Sequence, residues 1–180
     1  VDAQALFAHL MKAHVAPAWR RMGLRGSGNA FRLPNDAGHY ALIGVQRDKW
    51  NTAQRCAFTL NVSFTSAQEW AAAQVVQPWI GDAPNANAHT PGVGWWQRVG
   101  SLVADGHDHW WLVQACDDGE GGGAGGGSAV DGGEVVGVDA VAAEVIDIVA
   151  EVVLPQLQAR LDGQPVPAPP VWSWTAPSRT

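Results

Sequence analysis

Hydrophobic positions near the start of the chain recur every three or four residues: Leu6, Phe7, Leu10, Met11, Val15, Trp19 and Met22. That spacing predicts an amphipathic helix over residues 3–22, with one apolar stripe docked on a core. Pro17 lies inside the pattern and lacks a backbone N–H, so a kink or break is expected near Val15, and Gly23 closes the helix. The period then changes from that of a helix to that of a strand. After the turn Gly26-Ser27-Gly28-Asn29, residues 31–33, 39–46 and 56–65 read as three strands. In the third, Cys56, Phe58, Leu60, Val62 and Phe64 alternate with Ala57, Thr59, Asn61, Ser63 and Thr65. Such alternation is expected of an antiparallel sheet covered on one side.

Ser66 followed by Glu69 is a capping box for a helix that runs through Trp70 to about Val76 and stops before Pro78. Residues 81–94 read as loop. Two further strands are predicted over 95–102 and 109–115, joined as a hairpin by the turn at Asp105-Gly106. Residues 117–133 carry a glycine run and read as a flexible insertion. A last helix over 138–161 sets Val141, Val145, Ile148 and Val152 on one stripe and Glu144, Asp147 and Glu151 on the adjacent one, with Pro155 expected to kink it late. The predicted fold is α+β and two-layered: an antiparallel sheet of about five strands with the N-terminal and C-terminal helices on one face. A single domain is expected over residues 1–161, followed by a Pro-rich tail, 162–180, that carries Trp172 and Trp174.

Composition adds constraints. An apolar fraction of 47% and ten tryptophans argue for a packed globule. The net charge of −6 disfavours a general nucleic-acid binder, yet residues 1–60 hold eight Lys/Arg against three Asp, a local excess of +5. Pairing between this basic front and the acidic remainder is the simpler reading, and an anion-binding surface is the other. Cys56 and Cys116 are too few for a metal set or disulfide framework, and Cys56 sits on the apolar side of its strand. No apolar run reaches a membrane span and no signal peptide opens the chain, so a cytoplasmic location is expected; the start at Val1 leaves a trimmed leader open.

No nucleophile elbow is present, and the glycine run lacks the lysine of a phosphate loop. His107 and His109 point to one side of a strand, where zinc would need a third ligand such as His39 or His89; solvated turn histidines explain the pattern as well. Neither a catalytic motif nor a cofactor or metal site is therefore assigned. The expected function is a non-catalytic binding domain, accessory or immunity-like, that recognises a protein partner through the sheet face or the Trp-bearing tail. Polar amides beside indoles mark the surface, and the candidate binding residues are Gln46, Arg47, Asn61, Trp95, Arg98 and Trp110. One alternative is a binder of a phosphate-bearing ligand or single-stranded nucleic acid that uses Arg20, Arg21, Arg25, Arg47 and Arg55. Another is an enzyme whose pocket gathers His39, His107 and His109, or Arg98 with Asn61.

Four stretches occur in a suggestive order: Val15-Ala16-Pro17 through Met22-Gly23-Leu24-Arg25, then Leu42-Ile43-Gly44-Val45-Gln46, then Phe58-Thr59-Leu60-Asn61, then Arg98-Val99-Gly100 with Trp110-Trp111. In this the chain resembles the bacterial domain-of-unknown-function family numbered 4304, over roughly residues 5–115 and, by position, the final helix. Asp48 stands where a small hydroxyl residue is usual in that family, and the glycine run is atypical. The resemblance implies a compact α+β fold and a bacterial origin, and it brings no activity with it.

Overall fold

Two prolines inside two long helices shape the helical layer. A computed structural model describes residues 1–104, 106–115 and 135–179. Its first helix, α1, spans residues 3–21 in three consecutive segments: α-helix Ala3–His9, π-helix Leu10–Val15 and α-helix Ala16–Arg21. Asp2 caps it, its carboxylate accepting the Ala5 N–H at 2.7 Å. The expected break at Pro17 takes the form of a widened turn. A proline ring has no N–H to give and crowds the carbonyl four residues back, and an i→i+5 turn relieves both. The same device recurs in the last helix, in which Val135–Ile148 leads through the π segment Val149–Val153 into Leu154–Leu161, with Pro155 just after the wide turn.

Among the described residues six strands form one antiparallel sheet: β1 Arg25–Ser27, β2 Ala30–Arg32, β3 Tyr40–Arg47, β4 Arg55–Thr65, β5 Trp95–Arg98 and β6 Trp111–Gln114. The order is β1-β2-β3-β4-β5, with β6 also on β4. β1 lies where the sequence predicts only a turn. Gly26, at φ 147°, lets this strand close on β2, since a Cβ there would run into the Ala30 carbonyl.

The hairpin expected between residues 95–102 and 109–115 does not form. β5 pairs with the second half of β4 (Asn61 with Arg98, Phe64 with Trp95) and β6 with its first half (Arg55 with Gln114, Phe58 with Trp111), so the two strands lie end to end along one edge. The chain leaves β5 through a 3₁₀ turn, Val99–Leu102, in place of the longer strand. Backbone sets this path: a Cβ on Gly100 would strike the His107 carbonyl, and one on Gly106 the Gly100 carbonyl. An eleven-residue β4 is long enough to carry both short strands.

α1 and the last helix, which we label α3, pack on one sheet face, as expected. Between them and the sheet lie Leu10, Trp19, Ile43, Phe58, Leu60, Val62, Trp111, Val145, Ile148 and Leu157, all fully or almost fully buried. The other face is not left to solvent, contrary to the alternation in β4. Thr59, Asn61, Ser63 and Thr65 are buried too. The capped helix α2, Ala67–Val76, and the following loop lie over them. Trp70 packs against Tyr40, Asn87 accepts a hydrogen bond from Asn61, and the Trp96 indole donates to the Ala86 carbonyl. A loop that supplies polar partners can bury a polar strand face, so alternation alone does not report exposure. Asp105, the glycine-rich stretch 117–133 and Cys116 lie outside the described residues.

The tail returns to the sheet. Ser178 bridges Trp111, the Leu112 N–H donates to the Pro177 carbonyl at 2.8 Å, and the Arg179 N–H donates to the Trp110 carbonyl at 2.9 Å. Residues 177–179 thereby cover the edge of β6. Among the described residues no helix is long and apolar enough to cross a membrane.

Candidate functional site

The strand register sorts the six candidate residues onto two faces. Gln46 and Asn61 share the loop-covered face, where the Asn61 amide donates to Gln46 Oε1 at 2.8 Å and to Asn87 Oδ1 at 2.9 Å. Arg98, opposite Asn61, belongs to this face as well and donates to Asp108 at 2.6 Å, as does the Trp110 indole at 3.0 Å. Arg98 and Arg179 guanidinium groups lie 5.2 and 4.3 Å from the Trp110 ring centroid, and Arg179 in turn pairs with Asp48. Burial works against the charge of Asp48 and of Asp108. Hydrogen bonds outweigh it, from the Trp50 N–H and Arg179 to Asp48 and from Trp110 and Arg98 to Asp108, and hold both carboxyls below their ordinary range. Gln46, Asn61, Arg98 and Trp110 thus lie on one side of the sheet, tied largely to each other and to the protein's own loop and tail.

Arg47 and Trp95 fall on the helical face. Trp95 carries the Arg160 guanidinium 3.6 Å from its ring centroid. Arg47 reaches across to α1, donating to Gln4 Oε1 at 3.0 Å and lying 5.9 Å from the Phe7 centroid. There it lines a cleft of about 440 Å³ between α1 and the β1–β2 turn.

Local sequence explains this cleft. Residues 8, 12, 16 and 20 come from successive turns of α1. In a pure α-helix, positions four apart drift by roughly 40° around the axis, and the π segment absorbs part of that drift, which keeps the row aligned. Phe7, Met11 and Ala16 form a buried apolar floor. Lys12, Arg20 and Arg47 stand around it, and no carboxylate among the described residues joins the lining. Arg20 is anchored by its donation to the Gly26 carbonyl at 2.9 Å, so two guanidinium groups are held in position by contacts that leave other N–H donors free.

A second cleft, of about 750 Å³, adjoins the first and shares Gln4, Asn29 and Arg47 with it. β2 stops pairing at Ala30, opposite Gly44, so residues 45–47 of β3 extend past it, and the two clefts meet at this notch. Here the lining is rich in side-chain amides, with Gln46 and Asn29 among them.

The other arginines named from the sequence do not converge here. Arg25 lines a separate hollow with Arg32 and His39, while Arg21 and Arg55 line neither cleft. Among the described residues the basic front is also not paired with the acidic remainder. Among the described residues the ion pairs within 4.0 Å are Arg98 with Asp108, Arg179 with Asp48, His14 with Asp139 and His109 with Glu144, none of them using a front Lys or Arg.

The histidine and carboxylate motifs have internal roles. His109 is buried, stacked on Trp174 with centroids 3.7 Å apart, and its Nε2 lies 4.0 Å from Glu144. Burial pulls its pKa down to about 4 against the opposing pull of Glu144. His107 is exposed, 6.0 Å from His109 between ring centroids; His39 accepts the Ala67 N–H, and His89 packs on Trp96. Among the described residues no group of three or more His, Cys, Asp or Glu side chains is placed to hold a metal ion.

Glu144 is buried, unlike Asp147 and Glu151 of the same stripe. It accepts from the Trp111 indole at 2.8 Å, from the Thr175 N–H at 2.6 Å and hydroxyl at 3.1 Å, and from the Ala176 N–H at 3.3 Å. Sequence reasoning missed this anchor, although Glu144 is spaced three and four residues from Val141 and Ile148 on the apolar stripe. Trp172 and Trp174 are half-buried beside it. Cys56 is buried, and burial pushes its thiol up to about 11.

Comparison with known proteins adds family membership. No curated protein and no solved structure matches the chain. The family model described as "Domain of unknown function (DUF4304)" matches residues 15–119, a span that runs from α1 through all six strands. This protein belongs to the DUF4304 family.

Proposed function

We propose that this protein is a binding domain for a phosphate-bearing anion, held in the cleft between α1 and the β1–β2 turn. One observation carries the reading: Lys12, Arg20 and Arg47 surround an apolar floor with no carboxylate in the described lining. Positioned guanidinium groups offer paired N–H donors that match a phosphate, and grouped cations raise the local concentration of an anion. Such a site needs no nucleophile or general base. The divergence of Arg21, Arg25 and Arg55 favours a compact anion over a nucleic-acid strand, which would require a continuous basic track.

Isothermal titration with pyrophosphate tests this reading. Saturable one-to-one binding is expected, weakened on the order of tenfold or more in each of Arg20→Gln and Arg47→Gln, and weakened again by salt. Absence of saturable binding, or unchanged affinity in the double variant, sinks it.

A second reading, a protein partner for an accessory or immunity-like domain, draws on a different surface from the one the sequence suggests. The tail indoles are half-buried against the core, and Asn61, Arg98 and Trp110 bond within the protein. Val75 and Val76 at the end of α2, and Trp79 three residues beyond, are 83%, 75% and 77% exposed.

A further inference from the structure

Resting on the anion reading, we infer the ligand's chemical class: a phosphate ester with a neutral, hydroxyl-rich body, the element shared by sugar phosphates and nucleotides. The juxtaposition of the two clefts carries this. They share Gln4, Asn29 and Arg47, so a group seated against Arg47 in the cationic cleft stands at the mouth of the amide-rich one. β3 runs three residues beyond its pairing with β2, and no strand divides the clefts at that point.

The hydrogen-bonding inventory of the second cleft selects the body. Gln46 spends its Oε1 on the Asn61 amide, and its own N–H donors have no partner among the described residues. The Asn29 side chain is exposed and likewise unengaged, so it offers both a donor and an acceptor. Asn51, by contrast, is fully used, bonding the Ala57 N–H and carbonyl, and serves as wall. Two carboxylates join this lining: Asp48 is committed to Arg179 and Trp50, and Asp2 caps α1 at the Ala5 N–H, while Lys49 lies over the Trp50 ring. Uncommitted amides beside a cationic pocket suit hydroxyl groups, which both donate and accept, better than an acyl chain or a second anion. Three cations match the charge of one phosphate monoester, about −1.5 to −2 at neutral pH, with a margin for a second phosphoryl group.

The test is a titration series on the intact protein with inorganic phosphate, ribose 5-phosphate, adenosine 5′-monophosphate and adenosine. Ribose 5-phosphate is expected to bind at least tenfold more tightly than inorganic phosphate, and Asn29→Ala should erase most of that margin, lowering ribose 5-phosphate affinity far more than that of phosphate. Asn29 is exposed, so this variant is expected to fold. Tighter binding of adenosine 5′-monophosphate than of ribose 5-phosphate identifies a nucleotide, and equal binding a sugar phosphate. Equal affinity for phosphate and ribose 5-phosphate overturns this inference and leaves the anion site standing. If no phosphate compound binds, the anion reading itself fails and this inference goes with it.

Discussion

At the scale of single residues, burial of polar side chains decides more than their identity does. His109 is neutral because burial outweighs the nearby Glu144 carboxylate, giving a pKa of about 4 against an ordinary 6.5. The unfolded chain therefore takes up a proton near pH 6.5 that the folded chain refuses until about pH 4. Stability is expected to fall as pH drops through that window, by about 3 kcal/mol in total, and His109 should contribute no further change below it. Urea unfolding at pH 7 and pH 5 checks this, with His109→Phe expected to flatten the slope while keeping the stack on Trp174. Carboxyls held low by their partners, Asp48, Asp108 and Glu69, act only at still lower pH. The sequence offered His107 and His109 as a pair, and their separation into one exposed and one buried ring follows from the return of Trp174, more than sixty residues away.

Among the elements, glycine and proline set the geometry around the cationic cleft. Pro17 and the π segment before it align one row of α1, and Gly26 and Gly28 turn the hairpin that forms the opposite wall. Gly26→Ala combines a backbone conformation foreign to L-residues with a collision on the Ala30 carbonyl. It is expected to cost about 1–3 kcal/mol and to weaken anion binding, since Arg20 is anchored on the Gly26 carbonyl. Thermal unfolding paired with pyrophosphate titration checks both effects. Unchanged binding in a destabilised variant would detach Arg20 from that anchor. Most elements were legible from sequence: the amphipathic helices, the capping box at Ser66 and the long β4. β1 was not, because three residues with glycine at their centre have no period to read.

Across the whole molecule, the end of the tail is packed against the core, with Ala176 buried in it. Glu144 gathers one indole N–H, two backbone N–H groups and a hydroxyl, three of these four donors from residues 175–176, and the tail backbone covers the β6 edge. Ending the chain at Leu161 should leave Glu144 without those three donors and expose the ring of Trp111. A fall in melting temperature of roughly 10 °C or more is expected, with a red-shifted indole emission. A melting temperature within a degree or two of the full chain would show the tail to be only loosely laid on.

What the sequence determined by itself is the set of local periods. A helix or strand that buries one side must repeat at its own geometry, so α1, α3, β3 and β4 are written in neighbouring residues, as are the prolines that widen both helices. Tertiary structure alone decided how distant pieces share partners. Two short strands divide the edge of β4 where a hairpin was expected, because β4 is long enough for both. Asn61 and Ser63 are buried where a loop brings Asn87 and strand β5 sets Trp96 beside them, and Glu144 is an anchor because the tail donates to it. Arg47 joins Lys12 and Arg20 only where the end of β3 crosses α1. Each of these depends on contacts between residues far apart in the chain, and no local pattern encodes them.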